Sequence, residues 1–93
     1  MTQTQKANCA AIAAHYGEGH QLGILQEECA ELIQAVSKVR RERPGAYDDY
    51  IGELADVAIM LEQMLSFLDD EEETQLTRII NKKLQRQLER MGS

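Results

Sequence analysis

Two acidic pairs set inside apolar helical patterns constrain this chain more than any other feature. Glu28 and Glu31 lie in the stretch Gln26 to Ile33, and Glu53 and Asp56 lie in Gly52 to Ile59. Each pair is spaced i, i+3, so on a helix its carboxylates project from one face. Their neighbours include Leu32, Ile33, Leu54, Ala55, Val57 and Ala58. Charge held among apolar side chains has to be neutralised, paired or given a metal ion. Four converging carboxylates make a hard, oxygen-rich site suited to Mg²⁺ or Mn²⁺.

The hydrophobic spacing predicts helices throughout. An Ala-rich segment from about Gln3 to Tyr16 is broken by Gly17 and Gly19. A second helix runs from about His20 to Arg41. Its Leu22, Leu25, Cys29, Leu32, Val36 and Val39 follow the alternating three-and-four spacing of a packing seam. Arg43-Pro44-Gly45 ends it. A third helix runs from about Tyr47 to Leu68, with Asp48 or Asp49 as its cap and a seam of Ile51, Leu54, Ala58, Leu61, Leu65 and Leu68. Between Leu54 and Leu68 the polar residues are Asp56, Glu62, Gln63 and Ser66 alone, so this helix needs neighbours on most sides. Asp69 or Asp70 caps a fourth helix, which carries Leu76, Ile80, Leu84, Leu88 and Met91 inward. The expected fold is all-α, an antiparallel helical bundle of about four helices per chain in one domain spanning residues 1–93, completed by oligomerisation. A chain of 93 residues buries only ~60–65% of its unfolded surface alone, which favours self-association.

The register of the second and third helices brings the acids together. Beside the seam of the second runs a ridge of Gln21, Ile24, Glu28, Glu31, Ala35 and Lys38; on the third the ridge is Glu53, Asp56, Met60, Gln63 and Phe67. A short Pro-Gly connection pairs the two helices antiparallel. Glu28 and Glu31 lie about 12–15 residues before Arg43, and Glu53 and Asp56 about 10–13 after it, so at ~1.5 Å per residue the depths nearly coincide. An acidic pair alone is more often a solvated helix face. Two pairs at matched depth, the second among Leu54, Ala55, Val57 and Ala58, point to a metal site.

Composition narrows the classes. The net charge of −6 gives no general attraction to nucleic acid or to a membrane surface. No apolar run is long enough to span a bilayer, there is no signal-peptide pattern, and Cys9 and Cys29 suit reduced, buried thiols, so a cytoplasmic setting is expected. No internal repeat or low-complexity segment stands out. Cations for an anionic ligand would come from Lys38, one ridge position past the acids, and from the fourth helix, where Arg78, Lys82, Arg86 and Arg90 recur at i, i+4 beside Lys83 and Asn81. A solvated basic face is the plain alternative, and it suits Arg78 and Arg90 best. Aromatics are scarce. Tyr16, with His15 and His20, flanks the glycine break, whereas Tyr47, Tyr50, Met60 and Phe67 read as packing residues.

The motif Glu-Glu-x-x-Glu at Glu27, Glu28 and Glu31, followed after 21 residues by Glu-x-x-Asp at Glu53 and Asp56, resembles the MazG-like all-alpha nucleoside triphosphate pyrophosphatases. Gln21, Leu32, Lys38, Leu54 to Val57 and Ile59 to Gln63 fit as well, and the resemblance spans His20 to Arg90. It implies a homodimer or homotetramer of antiparallel helices and Mg²⁺-dependent cleavage of an NTP or dNTP into monophosphate and pyrophosphate, in nucleotide house-cleaning or pool control. It implies Glu28, Glu31, Glu53 and Asp56 as metal ligands and catalytic residues. Gln21, Lys38, Lys82, Lys83 and Arg86 are candidates for the substrate, and Glu27 has a less defined role. A ferritin-like di-iron centre would need Glu-x-x-His pairs, which His15 and His20 do not supply. A phosphoribosyl-ATP pyrophosphohydrolase would carry a His after the second motif, and this chain has none there. A non-catalytic helical dimer remains the competing class, and the apolar surroundings of the acids weigh against it.

Overall fold

The computed structural model describes residues 1–92. They form four helices and no strand: α1 (Gln3–Tyr16), α2 (Glu18–Arg40), α3 (Ala46–Leu65) and α4 (Asp70–Gly92). The all-α expectation holds, and each boundary has a local cause. Thr2 opens α1 with a capping box: its hydroxyl accepts from the Gln5 amide at 3.0 Å, and its own amide donates to Gln5 Oε1 at 2.9 Å. Gly17, at φ +87°, separates α1 from α2. The break is shorter than expected, since Glu18 and Gly19 already belong to α2. Glu18 sits in the first turn, where negative charge favours the helix dipole.

A Schellman closure ends α2. The Arg43 amide reaches the Lys38 carbonyl and the Glu42 amide reaches the Val39 carbonyl, with Glu42 left-handed at φ +57°. Gly45, at φ +76°, then turns the chain into α3. The expectation that Asp48 or Asp49 caps α3 is wrong: Gly45 stands at the cap, and both aspartates lie inside the first turn. The far end of α3 is also earlier than expected, at Leu65 rather than Leu68. Ser66 Oγ donates to the Gln63 carbonyl there, a local bond that competes with continuing the helix. Of the two candidate caps for α4, Asp69 takes the role, with Oδ1 accepting from the Glu72 amide at 2.8 Å and its own amide donating to Glu72 Oε1 at 3.1 Å.

α2 and α3 form the central antiparallel pair, and α1 lies mainly on α3 through buried Cys9 and Ala13. The pair packs through the ridges beside the seams. Gln21 and Ala35 of α2, with half-buried Ile24 and Glu28, meet Ala46, Val57, Met60 and Gln63 of α3. The α3 seam of Ile51, Leu54, Ala58, Leu61 and Leu65 is left exposed, Leu61 to 51%.

The inward stripe expected on α4 is corrected by the structure. Among the described residues α4 packs along none of the other helices. Leu76 is half-buried, while Ile80, Leu84, Leu88 and Met91 are exposed, Leu88 to 62% and Met91 to 82%. No helix among the described residues is long and apolar enough to cross a membrane.

Two magnitudes express how open the protomer is. Its accessible surface is 7324 Å², against about 5,400 Å² for a folded monomer of 10.5 kDa. Its radius of gyration is 16.0 Å, against about 12 Å for a compact chain of this length. No large side chain among the described residues is fully buried.

Candidate metal centre

The α2–α3 pairing fixes which side chains meet across the groove. Gln21 and Glu28 lie seven residues apart on α2, and Asp56 and Gln63 lie seven apart on α3. Seven residues are about two helical turns, so each set shares a face. Gln21, 4% exposed, donates through Nε2 to Oε1 of Gln63, 2% exposed, at 2.7 Å. With Gln21 opposite Gln63 in an antiparallel pair, Glu28 falls opposite Asp56. Carboxylate oxygens from Glu28, Glu53 and Asp56 do gather within 4.8 Å of one another.

Glu28 and Glu53 are half-buried and Asp56 is exposed. Oε2 of Glu28 and Oε2 of Glu53 are shut off from solvent and have no hydrogen-bond partner among the described residues. Both groups titrate above the ordinary glutamate value. For Glu28 the first cause is desolvation, followed by repulsion from Asp56, Glu31, Glu53 and Glu27. For Glu53 desolvation again leads, with repulsion from Glu31 and Asp56, a hydrogen bond that the protonated Glu53 carboxyl donates to Glu31, and the charge of Asp49. The cluster is thus strained electrostatically as it stands, and a cation among these oxygens would relieve it.

Of the four acids singled out by spacing, three form the triad. Glu31 is exposed and borders it on the open side, and Glu27 faces solvent. A cleft of about 540 Å³ opens beside the triad, lined by Glu31, Gln34, Ala35, Lys38, Asp48, Asp49, Gly52, Glu53 and Asp56. Lys38 is therefore at the site. Gln21 points into the helix pair and is taken up by Gln63. Lys82, Lys83 and Arg86 lie exposed on α4, away from the cleft of their own chain.

Sequence reasoning passed over Asp49 and Gln63 as members of the site. Asp49 stands four residues before Glu53, and Gln63 seven after Asp56, so helical spacing alone would have found both. At the far end of the groove His20 Nδ1 lies 2.7 Å from Gln21 Oε1, which can only accept, so Nδ1 carries hydrogen in this arrangement. The His20 ring stacks on Tyr16 at 5.1 Å. No protein-family model, curated protein or solved structure matches the chain.

Two outcomes are expected. Replacing Gln63 by Met strands the Gln21 amide and costs about 1–3 kcal/mol, whereas the double change Gln21→Met with Gln63→Met costs less than the sum of the two singles. Urea denaturation of all four proteins closes this cycle, and additive losses would show that the two amides act separately. The second outcome concerns pH without divalent ions. Glu28 and Glu53 bind protons more tightly in the folded chain than at the ordinary value of 4.5, so in the window above 4.5 the folded state holds more protons and stability falls as pH rises. In chelator the protein melts at a higher temperature near about pH 5 than near about pH 7.5, and Glu53→Gln narrows the gap. A gap that Glu53→Gln leaves unchanged would place its origin elsewhere.

Proposed function

We propose that this chain is a divalent-metal-dependent nucleoside triphosphate pyrophosphohydrolase acting as a homo-oligomer. The observation that carries the metal is the pair of orphaned, desolvated oxygens on Glu28 and Glu53, within 4.8 Å reach of Asp56. Such a donor set, all oxygen and all anionic, fits a hard cation such as Mg²⁺, with Mn²⁺ as a substitute. Glu28, Glu53 and Asp56 would hold it, with Glu31 at the open edge. When bound, the ion neutralises the phosphate charge that bare carboxylates would repel and polarises the phosphorus under attack.

The chain's own residues supply the rest. Glu31 borders the triad without belonging to it, and we assign it the task of taking the proton of the attacking water. Lys38, on the wall of the cleft, neutralises a phosphate oxygen beyond the metal. Gln21 and Gln63 hold the two helices in the register that keeps the acids opposite one another, which gives Gln21 a positioning role rather than contact with substrate. Cleavage between the α- and β-phosphates, and the choice of a nucleotide as substrate, rest on the resemblance to MazG-like enzymes in the paired acidic motifs. Self-association rests on surface. The protomer exposes about 1,900 Å² more than a monomer of its mass should, the scale of one side of an obligate interface.

Millimolar Mg²⁺ is expected to raise the melting temperature by about 10–20 °C, the equivalent of ~2.7 kcal/mol at a hundredfold excess over the dissociation constant. Scanning calorimetry at matched ionic strength measures this, and an unchanged transition would remove the site. Glu53→Gln and Asp56→Asn keep size and polarity but lose the charge that holds an ion. Each should cut turnover by about two orders of magnitude or more while leaving the helical circular dichroism intact. Glu27→Gln should have little effect. The products scored are nucleoside monophosphate and pyrophosphate. Diphosphate and orthophosphate would instead overturn the α–β assignment, and wild-type turnover in both variants would remove the carboxylates from catalysis.

A further inference from the structure

The run from Lys38 to Arg43 holds four of the ten Lys and Arg and one acid, Glu42, in a chain whose net charge is −6. It closes α2 and enters the turn to α3. Arg41 stands seven residues after Gln34 and three after Lys38, so on the helix the three share one face. Arg43 follows in the turn, where its amide bonds the Lys38 carbonyl at 3.1 Å. These residues line a recess of about 270 Å³ together with Ile33 and Ser37. Glu42 does not line it. Among the described residues Lys38, Arg41 and Arg43 make no ion pair and no side-chain hydrogen bond, although the chain carries 16 acids.

The recess adjoins the acidic cleft, since Gln34 and Lys38 line both. An anion held at the triad has an open path along the groove in one direction. Toward Gln21 the buried Gln21–Gln63 bond closes it. Toward the turn it is open, with Asp48 and Asp49 on the α3 wall and Lys38 on the α2 wall. Lys38 lies seven residues beyond Glu31, about 10.5 Å along the helix, and Arg41 about 4.5 Å further. A row of phosphates leaving the triad on the cationic wall therefore meets Lys38 first and the two arginines last. The carbonyl end of a helix ordinarily repels an anion. Here the carbonyls of Ser37, Lys38 and Val39 are already taken by the amides of Arg41, Arg43 and Glu42. Guanidinium forks match phosphate oxygens in geometry as well as charge.

We propose that Arg41 and Arg43, with Lys38 at the boundary, form an anion subsite that grips the terminal phosphate of a triphosphate and so distinguishes it from a diphosphate. The identity of the anion rests on the function proposed above; the cationic recess does not. Phosphate number is then read within one chain, at the end of the cleft remote from the Gln21–Gln63 bond.

A titration without metal tests the subsite. Inorganic tripolyphosphate is added in chelator while the arginine Nε–H resonances are followed by ¹H–¹⁵N NMR, so neither a divalent ion nor hydrolysis takes part. The resonances of Arg41 and Arg43 are expected to move along one binding curve while those of Arg40 and Arg78 stay in place. The double variant Arg41→Gln, Arg43→Gln should weaken this binding about tenfold or more. Similar shifts at all four arginines, or none at Arg41 and Arg43, would overturn the subsite. Steady-state kinetics in Mg²⁺ read its consequence. The double variant should raise the KM for a nucleoside triphosphate about tenfold or more with kcat within about twofold. The inhibition constant of the matching diphosphate should not change. An equal weakening of both nucleotides, or an unchanged KM for the triphosphate, would overturn the reading of phosphate number. A wild-type protein that hydrolyses no triphosphate would sink the proposed function instead, and the titration in chelator then decides the subsite by itself.

Discussion

The bond between Gln21 and Gln63 is the constraint on which the central helix pair depends. Apolar side chains in an antiparallel pair tolerate sliding, because one leucine substitutes for the next along a ridge. Two buried amides do not. A slip of one turn would separate them and leave both desolvated without partners, a loss of about 1–3 kcal/mol for each stranded group. In an assembly with no fully buried large side chain among the described residues, that loss is a large fraction of what holds the helices together. The bond lies two turns from the acids on both helices, so the same register that satisfies the amides sets Glu28 against Asp56.

That register has a cost at the other end. Bringing Glu28, Glu53 and Asp56 within 4.8 Å, with two oxygens desolvated and unpartnered, works against folding at neutral pH. A sequence optimised only for a stable helix pair would place leucine or alanine at these positions. Retaining three acids there, beside an apolar groove that could have closed on itself, opposes the stability of the helix pair taken alone.

Much of this was legible in the sequence. The helices follow from the three-and-four spacing and the glycine and proline breaks, and the meeting of the acids follows from their equal depth about the Arg43 turn. The seams misled for a physical reason. Ile51, Leu54, Leu61 and Leu65 mark a face that avoids water, but spacing carries no information about which neighbour covers it. Within the chain the adjacent ridge of Glu53, Val57, Met60 and Gln63 takes the contact with α2, and the seam is left over. Placing Leu84, Leu88 and Met91 inward rests on the same assumption that every apolar stripe is satisfied inside its own chain. The caps show a smaller version of the problem. Asp48, Asp49, Asp69 and Asp70 are all able to cap, and the turn geometry that selects Gly45 and Asp69 depends on how the chain reverses on either side.

The three sides of α3 divide the labour of the molecule. One side meets α2 and carries the acids, a second is covered by α1 through Cys9 and Ala13, and the third is the free apolar stripe. α3 is therefore the element that joins the groove, the α1 contact and the exposed stripe. The chain's small size makes this arrangement necessary. With 93 residues it cannot surround so apolar a helix and also keep an open cleft beside it. The protomer resolves that conflict by leaving the third side of α3 apolar and exposed, so that the groove beside Glu53 and Asp56, two of the three clustered acids, stays open.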